Sequence, residues 1–132
     1  MTDDWNLEAE VGGLAALESI VRALYDRMFG DILIGFFFDA SDKEQLIRSQ
    51  CAYLQAHLGD RSGHYEGPSI RRAHAQLAIL PGHFDRRHQI LREVLETHTV
   101  PAHVQDAWLG LDRSLREFVV REGKKAIDER YP

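Results

Sequence analysis

The sequence predicts an all-α protein. Apolar residues recur at helical spacing in successive segments, glycines and prolines stand between those segments, and no alternating apolar–polar run is long enough for a strand. The chain has 132 residues, without repeats, low-complexity stretches or a Pro/Gly/Ser linker. That is enough for one core and too little for a second module, so a single domain over 1–132 is expected.

The elements follow in order. Gly12-Gly13 interrupts a short first helix. Leu14, Leu17, Val21, Leu24/Tyr25 and Met28 then make the apolar stripe of a second helix, which fades near Gly30-Asp31. Phe36-Phe37-Phe38 leads into a polar corner at Asp39 to Ser41. Asp42 is placed as an N-cap with Gln45 as its capping-box partner. Leu46/Ile47, Gln50/Cys51, Leu54 and His57/Leu58 form the next stripe, which Gly59 ends. A turn-rich loop, 60–68, precedes a short helix with Ile70, His74 and Leu77 on one face. Pro81-Gly82 breaks the chain, and Phe84, His88, Leu91, Leu95 and His98 mark another helix. Pro101 stands as a first-turn proline, and Val104, Trp108, Leu111, Leu115 and Phe118 line a continuous last helix.

Composition narrows the function. Hydrophobic residues make up 44% and charged residues 28%, an ordinary globular mixture. The net charge is −5 with the two signs interspersed, which argues against nucleic acid as a partner, since that needs a clustered basic face. Cys51 is the single cysteine, so no intrachain disulfide or cysteine metal cluster is possible. The densest apolar stretch, Ile32 to Phe38, is far short of the roughly 20 residues of a membrane helix. The start, Met1-Thr2-Asp3-Asp4, has no signal-peptide character. The expectation is a cytoplasmic protein with no membrane partner.

Three polar residues fall on faces that should be buried: Tyr25, Gln50 and His74. An unpaired buried hydroxyl, amide or imidazole costs about 1–3 kcal/mol. Each taken singly is an ordinary core residue with a local partner. Three on three helices point to a shared polar object in the core. Of the seven histidines, His64, His83 and His103 fall in loops or at helix starts, and His57 and His98 lie near helix C-termini. His74 and His88 remain, and spacing does not separate them.

The order of motifs resembles a known family, the truncated or two-over-two haemoglobins, most nearly their first group. Gly12-Gly13-Leu14-Ala15-Ala16-Leu17 is similar to the family's opening Gly-Gly motif, and Leu24-Tyr25 to its aromatic-Tyr pair. Phe37-Phe38 stands 12 and 13 residues beyond Tyr25, at the family's Phe-Phe corner. Gln50-Cys51-Ala52-Tyr53-Leu54 resembles its Gln-x-x-aromatic-apolar run. Leu58-Gly59, Tyr65-x-Gly67 and His74 match the loop, the Tyr-x-Gly element and the proximal histidine. The likeness covers residues 11–101, and it separates the two histidines in favour of His74.

The resemblance implies a shortened two-over-two helical sandwich around haem b, with His74 as the proximal iron ligand. It implies Tyr25 and Gln50 as distal donors to a bound ligand, with Leu46 at the distal gate. Phe38, Tyr53, Tyr65, Ile70, Ile79 and Phe84 are the expected haem contacts. The implied ligands are oxygen, nitric oxide or carbon monoxide. The implied activity is oxygen binding, extended to oxidation of nitric oxide when a separate reductase supplies electrons. A peroxidase-like redox haem protein and a haem-free globin-fold signalling or interaction module are the alternatives. Two departures stand out. Gly59-Asp60 replaces the family's usual Gly-Gly pair, and Arg87 stands 13 residues past His74, where a small apolar residue or a tryptophan is usual. Such an arginine borders the haem, reaching a propionate or standing over the ligand, unless Arg86 and Arg87 both face solvent or a one-residue shift brings His88 inward.

Overall fold

The computed structural model describes residues 5–59, 70, 74 and 77–120. Among them the chain runs through α1 (Leu7–Val11), α2 (Leu14–Phe29), a 3-10 turn (Gly35–Phe38) and α3 (Lys43–Leu54). After a π turn (Gln55–Gly59) come α4 (Pro81–Thr97), α5 (Ala102–Ser114) and α6 (Arg116–Val119). No strand occurs among the described residues. The predicted all-α class is the observed one.

The first turn shows why two glycines are needed. Gly12 (φ 107°) and Gly13 (φ 114°) both lie in the positive-φ region that side chains rarely tolerate. The Gly12 N–H donates to Ala9 at 3.2 Å and the Gly13 N–H to Glu8 at 2.8 Å. These are the paired bonds of a Schellman motif, which satisfy the last carbonyls of α1 and turn the chain directly into α2.

α2 packs on both α3 and α4, and α4 packs on α5. Leu17, Val21 and Leu24 of α2 meet Leu54 of α3, Ile90, Leu91 and Leu95 of α4, and Trp108 of α5 in one core. Burial of each such side chain is worth about 1.5–3 kcal/mol. A second small cluster joins Phe84, Val119 and Val120 to Ile70, Ile79 and Leu115. The cavity described below lies against both clusters.

The corner after α2 is held by Asp31, whose carboxylate accepts from the Leu33 and Ile34 N–H groups at 3.0 and 3.2 Å. Gly35 lets the chain double back, because a Cβ there would sit 2.7 Å from the Phe29 carbonyl oxygen. Asp42 caps α3 by accepting from the Gln45 N–H at 3.3 Å. The helical course ends at Gly59 as expected, but through a π turn. There Gln55 Nε2 donates to Glu8 at 2.7 Å and ties this end to α1.

Some expected boundaries need correction. Pro81 opens α4 at its first position, where a missing N–H costs nothing, and does not stand as a separate breaker. Pro101 is the N-cap of α5, one residue before its first turn. The predicted continuous last helix is divided at Leu115 into α5 and α6. That turn rotates Phe118 off the apolar stripe, leaving it 40% exposed.

Candidate functional site: a polar-lined apolar cavity

Between α2, α3, α4 and the residues Ile70, His74 and Leu77 lies a cavity of about 360 Å³. Its lining is mainly apolar, from residues such as Met28, Ile34, Phe37 and Val119. Tyr25, Gln50 and His74, the three polar residues expected on buried faces, all border it. The Leu46, Phe38, Tyr53, Ile70, Ile79 and Phe84 positions border it too, as does Arg87. Tyr65 lies outside the described residues.

Each side chain is positioned by its helix. Tyr25 sits one turn before Phe29 on the buried face of α2. Its ring meets Phe38 edge-on at 6.3 Å, and Phe38 stacks on Phe29 at 4.8 Å. These contacts hold the phenol ring by its apolar body beside the cavity. Gln50 stands one turn after Leu46 on α3, so both face the same wall. Cys51, the next residue, is buried, and burial pushes its thiol up to about 11. That keeps it protonated and unreactive at neutral pH.

His74 is held differently. Its Nδ1 lies 2.7 Å from the carbonyl oxygen of Ile70. A carbonyl only accepts, so the ring proton is on Nδ1 and the Nε2 lone pair is left for another partner. Burial lowers the imidazole below its ordinary value against the pull of the Ile70 bond, and the Arg87 charge lowers it further. The ring is therefore neutral at neutral pH, the state in which histidine binds a metal. His88 has no place on the cavity lining; its Nδ1 is 2.8 Å from Asp112. Of the two histidines that spacing left unresolved, the cavity is lined by His74.

The two adjacent arginines part company. Arg86 turns outward to Asp31, while Arg87 turns to the cavity and donates through Nη1 to Asp112. Both expectations that left Arg87 facing solvent or put His88 in its place are replaced by this arrangement. The partner found is a carboxylate of the chain itself. Asp112 is 4% exposed and was missed in the sequence reading. One signal could have found it: an acid four residues after buried Trp108 lies on the apolar face of α5. The reading also missed a polar edge to the cavity, made by Ser41, Gln45, Ser49 and His83.

The donor set and the apolar lining suit haem. An apolar slot accepts the macrocycle, and a neutral histidine with its outer nitrogen tied to a carbonyl is the usual form of an iron ligand. A family model described as bacterial-like globin matches residues 6–120. The chain belongs to the bacterial-like globin family, whose members carry haem iron. Within that class its fold is that of the truncated haemoglobins. A group 1 truncated haemoglobin of Chlamydomonas moewusii is 28% identical over 106 residues, covering 78% of this chain and 61% of the relative. The chain thus spans about 61% of the length of that curated relative. The truncated haemoglobin of Tetrahymena pyriformis superposes with TM-score 0.78 at 22% identity, covering 89% of this chain and all of the other. The two-over-two haemoglobin of a Synechococcus species gives 0.77 at 23% identity, over 86% of this chain and 95% of the other. Among the described residues, no helix is long and apolar enough to cross a membrane.

Proposed function

We propose that this protein binds haem b with His74 as the iron ligand and holds oxygen against Tyr25 and Gln50. The observation that carries the reading is convergence. Tyr25, Gln50 and a neutral His74, its Nδ1 bonded to the Ile70 carbonyl, border one apolar cavity. The haem iron supplies the position at which a diatomic ligand, oxygen, nitric oxide or carbon monoxide, is bound.

The residues of the chain do the rest. The Ile70 carbonyl fixes the His74 tautomer and ring plane, so imidazole is presented in one orientation. Phe38, Ile79 and Phe84 give the slot apolar walls. We assign the Tyr25 O–H and the Gln50 amide as the donors to such a diatomic ligand. Each charge-assisted bond contributes about 1.5–3 kcal/mol. One such donor slows ligand release by more than about tenfold. A site that releases oxygen slowly suits chemistry on oxygen more than bulk carriage. We extend the reading to oxidation of nitric oxide, with electrons from a separate reductase.

Absorption spectra of the purified protein, ferric and then reduced under carbon monoxide, test the first step. A globin spectrum that His74→Ala abolishes and His88→Ala retains is the expected result. No haem spectrum in the wild-type protein would leave a haem-free globin fold. Loss of the spectrum in His88→Ala alone would move the iron ligand.

A further inference from the structure

The cavity wall carries a charge that haem binding does not require. Arg87 is 19% exposed in its side chain, borders the cavity with Tyr25 and His74, and acts electrostatically on both. Behind it, Asp112 is the buried charged residue of the core among the described residues. One Asp112 oxygen takes the Arg87 Nη1 donor and the other takes His88 Nδ1, at 2.8 Å. His88 Nε2 is buried without a hydrogen-bond partner, so the ring's polar contribution is its bond to Asp112. The order is then His88, Asp112, Arg87, cavity.

We propose that Arg87, positioned by Asp112 and His88, makes this cavity accept small hydrogen-bonding anions in preference to carbon monoxide. The inference rests on the haem reading above, and the anion class is that of fluoride, azide or nitrite beside ferric haem iron. A guanidinium cannot shed its charge when desolvated. It has five N–H donors, and the bond to Asp112 is made through Nη1. Asp112 neutralises the pair overall but stands on the side away from the cavity, so the pair forms a dipole with its positive end inward. In a site of low dielectric, that end gives an anion charge-assisted hydrogen bonds and gives carbon monoxide almost nothing. Tyr25 and Gln50 serve either ligand; Arg87 discriminates between them.

The test is spectroscopic titration of the purified haem protein with fluoride and azide in the ferric state and carbon monoxide in the ferrous state. Arg87→Leu should weaken fluoride and azide by about 10- to 100-fold. Carbon monoxide affinity should change by less than about threefold, a difference too small for the loss of a charge-assisted bond. Arg87→Gln, which can still bond Asp112, should lose the anion preference as well, because charge and not packing carries it. Arg87→Leu leaves Asp112 with His88 alone, so the double variant Arg87→Leu/Asp112→Asn guards against misfolding and should show the same loss. Asp112→Asn alone, whose amide oxygen can still accept from Arg87 but which removes the neutralising charge, should keep or raise the fluoride-to-carbon-monoxide ratio, with thermal melting of the haem-free protein as the check on its fold. Wild-type anion affinity in Arg87→Leu and Arg87→Gln would overturn the proposal. Equal losses for anions and carbon monoxide would also overturn it, assigning Arg87 a structural role. A wild-type protein that holds no haem would defeat the underlying reading and this inference together, and its missing spectrum distinguishes that case.

Discussion

Arg86 donates Nε–H and Nη2–H to a single oxygen of Asp31, at 3.0 and 2.7 Å, and so joins the corner after α2 to the first turns of α4. The other Asp31 oxygen holds the Leu33 and Ile34 N–H groups, and the side chain is 6% exposed. Asp31→Asn should therefore destabilise the protein by about 1–3 kcal/mol, read by denaturant melting. The Arg86 bond above all holds the Asp31 carboxyl below its ordinary value. The stabilisation is complete above the ordinary carboxylate range and is lost as pH falls through the lowered value. The gap between wild type and Asp31→Asn should accordingly narrow on acidification; a gap that is constant with pH would show that the charge on Asp31 is not involved.

Tyr25→Phe and Gln50→Leu bear on ligand retention. Each should speed oxygen dissociation by more than about tenfold, since each removes a donor of about 1.5–3 kcal/mol. The double variant should fall short of the product, because both donors serve one ligand. Stopped-flow dissociation rates measure this, and unchanged rates in both single variants would remove the two side chains from the distal site.

His83 replaces the usual glutamate at the start of α4. Its Nδ1 accepts from the Leu80 N–H at 3.0 Å, the side-chain half of a capping box. Only an unprotonated Nδ1 can accept that bond. His83→Leu should cost about 0.5–2 kcal/mol by thermal melting, and His83→Gln, whose amide oxygen also accepts, should recover most of it. Equal losses in the two variants would show that the ring acts through its contact with Phe37, 5.0 Å away, and not through the cap.

Gly13 and Gly82 form a matched pair, since a Cβ at either would meet nothing within 4 Å. They differ in backbone: Gly13 has φ 114° and ψ 172°, a region open to glycine almost alone. Gly13→Ala should destabilise by about 1–3 kcal/mol through backbone strain. Gly82→Ala, inside the first turn of α4, should be neutral or stabilising by about 0.4–1 kcal/mol. Denaturant midpoints decide, and an unchanged Gly13→Ala would mean the α1–α2 turn relaxes freely.

The helices were legible wherever the period was long and the ends carried chemistry. The α2 stripe from Leu17 to Met28, the Gly12-Gly13 junction and the Asp42 cap could be read because each depends on residues within a turn of one another. Leu14, read as the start of that stripe, is 46% exposed. The division at Leu115 could not, because the apolar stripe runs on through it and only packing against Phe84 and Val119 places the turn. The candidate site divides in the same way. Tyr25, Gln50 and His74 were conspicuous as polar residues on apolar faces, a property that each helix shows by itself.

What brings those three to one cavity, separates His74 from His88, and turns Arg87 inward while Arg86 turns out was decided by tertiary structure. Adjacent residues on a helix point about 100° apart, but which of the two directions is inside depends on the neighbouring helices. For Arg87 and His88 it depends on one carboxylate, Asp112, which lies 25 and 24 residues further along the chain. Short-range periodicity carries no information about a partner at that distance, and a buried charge takes its meaning from the partner.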